Sequence, residues 1–233
     1  MELAGSLQDH DVHLWQVLLD DPKWDEFAAV LNDAERAKAA RFRTQTLQQR
    51  NRRCRSALRV ILARYVAAGA ADLVFQYGQY GKPELQDRPV HFNVSHSGDV
   101  ALLAVAKQAL GVDLEDTGKE RSDLDGLIDM VCHPSEQVAL AQLTDANKVT
   151  QFYQLWTQKE AYCKMLGLGL QQSLPALYFE PVPGTTGNQV AQVCAEDHLP
   201  PVPSVLYRLD APGEFSASLC IALAEARITY FTA

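Results

Sequence analysis

The chain has 233 residues, 47 % of them hydrophobic, enough for one large domain or two modest ones around a packed core. Its net charge is −8 with a sequence pI near 5.2, and no apolar run approaches the length of a membrane span; the longest, Val100 to Ala106, suits a buried strand. The start, Met1-Glu2-Leu3-Ala4-Gly5-Ser6, lacks the basic and apolar regions of a signal peptide. Cysteines at 54, 132, 163, 194 and 220 form no C-x-x-C pair. The expectation is a cytoplasmic protein with reduced thiols, no zinc site and no membrane contact.

In chain order, Val12 to Leu18 alternates weakly as a first strand. Asp25 to Asn32 and Asp33 to Phe42 read as a helix entry, with Asp33 a candidate N-cap. Gln48 to Ala68 is the longest helical pattern, with Leu58, Ile61, Leu62 and Tyr65 on one stripe, ended near Gly69. Leu73 to Tyr77 suits a short strand, and Gly78 to Pro89 a turn-rich loop. Phe92 to Ser95 and Val100 to Ala106 read as paired strands around a turn at 97–99. A strand at 111–115 follows, then helices near 122–131, 134–143 and 148–166. Strands are expected near Leu177 to Glu180, Val205 to Leu209 and Ser216 to Ala224, with turns at Pro181 to Gly187 and Leu199 to Pro203.

Charge is unevenly spread. From Arg36 to Arg64 the chain carries ten of its 21 basic residues and no acidic one. A basic island in an acidic protein implies a local anionic partner. The acidic remainder would repel a long polyanion and no nucleic-acid motif is visible, so a small polyphosphate fits better than nucleic acid. The structural alternative is an exposed helix face with solvated arginines.

Two acidic segments carry the chemistry. In Gly111-Val112-Asp113-Leu114-Glu115 the apolar and acidic residues alternate, so a strand would put both carboxylates on one face. In Trp156-Thr157-Gln158-Lys159-Glu160-Ala161-Tyr162-Cys163-Lys164, Glu160 and Lys164 lie four apart, on one helical face. Taken alone, the first suits a solvated strand and the second ordinary helix pairing. Converging, Asp113, Glu115 and Glu160 make a hard-oxygen set suited to Mg²⁺, with Lys164 as a point charge for a phosphate. A third segment is Gly81-Lys82-Pro83 followed by His91-Phe92-Asn93-Val94-Ser95-His96-Ser97-Gly98.

With these segments in order, the chain resembles the 4′-phosphopantetheinyl transferases of the surfactin-synthetase (Sfp) type over roughly residues 30 to 180. The family pattern is Gly-Lys-Pro, Phe-Asn-(Ile/Leu/Val)-Ser-His-(Ser/Thr), Gly-(Ile/Val)-Asp-x-Glu and Trp-(Ser/Thr)-x-Lys-Glu-(Ala/Ser)-x-x-Lys. The resemblance implies an α+β fold of two pseudo-symmetric α/β halves, each a small, mainly antiparallel sheet packed with helices, with the active site between them. The halves would span 1–108 and 109–233, the second carrying the metal site. The implied activity is Mg²⁺-dependent transfer of 4′-phosphopantetheine from coenzyme A to a serine of an acyl or peptidyl carrier protein, releasing 3′,5′-ADP.

By the same resemblance, Asp113, Glu115 and Glu160 hold the metal, and Lys164 meets the pyrophosphate and can protonate the leaving oxygen. Arg36, Lys38, Arg50, Lys82, Ser95 and His96 contact coenzyme A. Glu35 stands where some relatives have a basic residue. Glu136, in His133-Pro134-Ser135-Glu136, is nominated as general base, with Glu160 or a metal-bound water as rivals; an acidic residue in a first helical turn is also favoured by the helix dipole. Trp156 is assigned to packing and Cys163 to helix filling. The chain's length resembles that of the monomeric, broad-specificity members. A non-catalytic binder of carrier protein or coenzyme A, and a metal-dependent pyrophosphate hydrolase, are the other classes weighed. No phosphate-cradling glycine loop and no Gly-x-Ser-x-Gly elbow is present.

Overall fold

The structure is a computed structural model that describes residues 7–87, 89–118, 123–169, 174–180, 189–195 and 204–233. The first half runs β1 (Asp11–Leu18), a 3-10 segment (Pro22–Val30), α1 (Asp33–Ala40), α2 (Gln45–Leu62), β2 (Phe75–Tyr77), β3 (Pro83–Leu85), β4 (His91–Ser97) and β5 (Val100–Ala106). The second runs β6 (Leu110–Asp116), α3 (Leu124–Val131), α4 (Pro134–Leu140), α5 (Asp145–Leu166), β7 (Leu177–Glu180), β8 (Gln189–Ala195), β9 (Val205–Arg208), β10 (Phe215–Ile221) and β11 (Arg227–Thr232).

A four-stranded sheet has the order β11-β1-β5-β4, a five-stranded sheet the order β6-β10-β9-β8-β7, and β2 pairs with β3 as a hairpin. Pairing is antiparallel except between β1 and β11. The expected α+β architecture of mainly antiparallel sheets and helices holds. The last strand crosses back: β11 leaves the second sheet and lies against β1, Leu14 opposite Tyr230. The sequence reading has no strand there, because it ends its last strand at Ala224.

Alternation on the strands builds the layers. On β1, Trp15 and Val17 pack with Leu58, Ile61 and Leu62 of α2, whereas Val12 and Leu14 pack with Val112 and Leu114 of β6 and Leu219 of β10. The first sheet is thus held between α2 and the second sheet. On the far side of the second sheet, Ala161, Tyr162 and Met165 of α5 pack against Leu177, Leu206 and Cys220.

Strand β3 falls inside the expected loop 78–89, β8 stands where no strand is expected, and several boundaries shift, two of them for a visible reason. Asn32, not Asp33, caps α1: its side chain accepts from the Glu35 amide at 2.9 Å, and Glu35 returns the bond to the Asn32 amide at 3.1 Å. Helix α2 begins earlier, capped by Thr44, and ends at Leu62 instead of Ala68. The chain must turn back there, and the Arg59 guanidinium holds the carbonyls of Ala70 and Leu73 at 2.9 and 3.1 Å. Tyr65 accordingly leaves the helical stripe and places its hydroxyl against His13 and Trp15 of β1. The turns expected at 181–187 and 199–203 lie outside the described residues. Among the described residues no helix is long and apolar enough to cross a membrane. Cys54, Cys132, Cys163 and Cys220 are buried free thiols.

Candidate active site

Strand β6 carries the site. Val112 and Leu114 are buried between the sheets, which turns Asp113 and Glu115 to the opposite face, where α5 lies. Gly111 shares that face. A Cβ at Gly111 would clash with the Ala161 carbonyl oxygen and the Met165 amide nitrogen and stand 2.9 Å from the Lys164 carbonyl carbon. Only a residue without a side chain lets the helix backbone come this close to the strand.

On α5, Glu160 and Lys164 are one turn apart. Lys164 Nζ lies 2.5 Å from Asp113 Oδ1 and 2.9 Å from Ser95 Oγ, and the Ser95 hydroxyl donates to Asp113 Oδ1 at 2.8 Å. Asp113 is buried at 3 % exposure, and its Oδ2 has no hydrogen-bond partner among the described residues. Burial pushes the Glu160 carboxyl up from its ordinary pKa; the negative charge of Asp113 adds to that shift, Lys164 opposes it, and Glu115 adds again. Asp113 and Glu115 thus both act on Glu160.

Among the described residues no group of three His, Cys, Asp or Glu side chains is drawn together closely enough to hold a metal ion. The donor chemistry nevertheless fits a hard divalent cation. Asp113 offers a buried, unpartnered oxygen, and a cation would offset the part of the Glu160 rise that comes from the charges of Asp113 and Glu115.

The rest of the α5 motif is structural. Thr157 Oγ1 lies 2.9 Å from Ser218 Oγ of β10, and Gln154 Nε2 donates to the same oxygen at 3.0 Å. Lys159 is fully buried; its Nζ donates to the Val131 and Leu174 carbonyls and pairs with Glu136 Oε2 at 2.7 Å. Trp156 packs edge-on against Phe152 in a cluster beneath α3 and α4, the packing role expected of it. Glu136 forms a capping box with His133, accepting from its amide at 2.8 Å. Its contacts point to Lys159 and not to Glu160 or Lys164.

Against β4 lies a cleft of about 750 Å³, lined among others by Lys38, Asn51, Arg55, Tyr77, Gly81 and His96. His96 opens into it. Desolvation by the cleft walls, and then the ammonium groups of Lys164 and Lys38, lower its pKa. Lys38 and His96 are thus brought together beside the carboxylates. Four other expected coenzyme A contacts are not in the lining. Ser95 turns away from it, its hydroxyl donating to Asp113. Arg50 is bidentate to Asp20 at 2.9 and 2.8 Å. Arg36 pairs with Asp33 and donates to the Leu31 carbonyl. Lys82 Nζ donates to the carbonyls of Leu110 and Met165, both at 3.0 Å, tying the hairpin loop to β6 and α5.

Glu35 neutralises two arginines of the basic island. It accepts from Arg55 at 2.5 Å and from Arg59 at 2.8 Å, and both guanidinium groups lie over the Phe75 ring. Sequence reasoning passed over Arg55 in the cleft, and Asn93 and Ser97 on either side of Ser95. The signal for the latter was present as an alternation of polar residues, Asn-x-Ser-x-Ser, along an otherwise apolar strand.

Comparison with known proteins gives the family. Residues 15–108 match the family described as 4′-phosphopantetheinyl transferase, N-terminal, and residues 109–220 match the 4′-phosphopantetheinyl transferase superfamily. The 4′-phosphopantetheinyl transferase HetI of Nostoc sp. is 37 % identical over 172 residues, covering 71 % of this chain and 72 % of its own. The 4′-phosphopantetheinyl transferase Sfp of Bacillus subtilis is 29 % identical over 168 residues, 70 % and 72 % of the two chains. Another Bacillus subtilis 4′-phosphopantetheinyl transferase is 27 % identical over 214 residues, 90 % and 92 %. The chain belongs to the 4′-phosphopantetheinyl transferases, in the Sfp type.

Proposed function

We propose that this enzyme transfers 4′-phosphopantetheine from coenzyme A to a serine of an acyl or peptidyl carrier protein in a Mg²⁺-dependent reaction. The observation that carries the reading is the convergence of Asp113, Glu160 and Lys164 beside the cleft holding Lys38 and His96. Asp113, Glu115 and Glu160 would hold the ion, which when bound neutralises charge on the phosphate under attack. Lys38 and His96, with Arg55 beside them, suit the 3′-phosphate of coenzyme A.

The carrier serine oxygen attacks the β-phosphorus, a P–O bond forms, and the bridging bond to the α-phosphate breaks. The electron pair leaves on 3′,5′-ADP, with Lys164 placed to neutralise it. Glu160, on the face shared with Lys164, takes the serine proton, whereas Glu136 is committed to Lys159 and its capping box. The division of the chain at residue 108, a monomeric state and a cytoplasmic location complete the proposal. The test is release of 3′,5′-ADP from coenzyme A with Mg²⁺ and apo carrier. Release that needs both, and stops with EDTA, supports it. Release without carrier would instead indicate pyrophosphate hydrolysis, and no release a binder.

A further inference from the structure

Strands β4 and β6 are edges of different sheets, yet they are stitched together by side chains. The Val112 amide donates to Asn93 Oδ1 at 2.8 Å, the Leu114 amide to Ser95 Oγ at 3.3 Å and the Asp116 amide to Ser97 Oγ at 3.1 Å. The rungs fall at every second residue of both strands, as two pleated edges require. They bracket the two carboxylates: Asp113 lies between the first and second rungs, Glu115 between the second and third. Both hydroxyls also turn to those carboxylates, Ser95 to Asp113 at 2.8 Å and Ser97 to Glu115 at 3.4 Å.

The other face of β4 presents Val94 and His96 to the cleft. One strand therefore lines the cleft on one face and holds the acidic strand on the other. Backbone amides at an unpaired sheet edge normally need a partner strand. Here polar side chains take that place, so the position of Asp113 and Glu115 is set by β4.

We propose that Asn93 and Ser97 are positioning residues for the carboxylate set: they fix β6 against β4 and so hold Asp113 and Glu115 on the face turned to Glu160 of α5. This rests on the magnesium reading above. Ser95 shares the seam but also contacts Lys164, so Asn93 and Ser97 isolate the effect.

The probe is Mn²⁺, titrated into the full chain and followed by the paramagnetic resonance signal of the free ion, beside steady-state transfer kinetics. Residues that orient metal ligands typically cost about 10–100-fold in metal affinity when lost. Ser97→Ala and Asn93→Ala should each weaken Mn²⁺ binding by at least about tenfold on that scale. They should lower kcat while KM for coenzyme A stays near wild type, and Ser97→Thr, which keeps the hydroxyl, should restore binding. Circular dichroism verifies that each variant folds; Ser97, at the partly exposed end of β4, gives the safer variant. Wild-type Mn²⁺ affinity in a folded Ser97→Ala chain overturns the inference, as does a loss that threonine does not restore. A wild-type chain that binds no Mn²⁺ overturns the magnesium reading itself and this inference with it, and the wild-type titration tells the two failures apart.

Discussion

Gly111 and Ala161 meet backbone to backbone: the α carbon of the strand residue faces the carbonyl oxygen of the helix residue with no room for a methyl group between them. This contact brings Glu160 and Lys164 of α5 to Asp113 of β6. Gly111→Ala should therefore push α5 from the strand. Overpacking of this kind costs about 1–3 kcal/mol, and misplacement of catalytic groups by about 1 Å can cost about 100-fold in rate. Urea unfolding and transfer kinetics together test it, with the loss of rate expected to exceed the loss of folded protein.

Glu35 should be a stability residue. Burial raises its pKa, but the Arg59 and Arg55 hydrogen bonds outweigh that and hold the carboxyl below the ordinary glutamate value. Its ionised form thus adds stability that is complete above the unfolded pKa of about 4.3 and is lost as pH falls through the lower folded value. The gap in melting temperature between wild type and Glu35→Gln should close across that acid window. Glu35→Ala, which leaves Arg59 buried at 1 % exposure without its carboxylate, should cost about 3–5 kcal/mol at neutral pH. A pH-independent gap would contradict the assignment.

Lys82 gives a sharper contrast between two roles. Its ammonium ties two carbonyls, and hydrogen bonds from charged groups are worth about 1.5–3 kcal/mol. Lys82→Met should lower stability by about that amount and leave KM for coenzyme A little changed. A large rise in KM with unchanged unfolding would make Lys82 the phosphate contact that its motif suggests.

Glu136→Gln separates the candidate bases. Breaking its pair with fully buried Lys159 should destabilise the fold by about 3–5 kcal/mol. kcat measured well below the melting temperature should fall less than about tenfold, because general bases are worth about 10²–10⁴-fold. A fall within that catalytic range, with unfolding unchanged, would return the base role to Glu136.

The carboxylate set was legible because period-two and period-four spacing place Asp113 with Glu115 and Glu160 with Lys164 whatever the surroundings. The basic island was not. Arg50, Arg53 and Arg59 are neutralised by Asp20, Asp25 and Glu35, 30, 28 and 24 residues away, and no local pattern announces such pairs. The C-terminal end of α2 was misplaced for a similar reason: Arg59 and Tyr65 are drawn to partners on the turn after the helix and on β1. Strand β11 escaped because its place is made by a parallel neighbour at the other end of the chain. Asn93 and Ser97 were visible as a pattern, but their partners are backbone amides, which carry no sequence signature.

The most direct test of the central claim is the intact mass of an apo carrier protein incubated with coenzyme A, Mg²⁺ and either the wild-type chain or Asp113→Asn. The account predicts a gain of one phosphopantetheinyl group with wild type, its loss with EDTA, and none with a folded Asp113→Asn chain. Full labelling by Asp113→Asn, or labelling that survives EDTA, would contradict it.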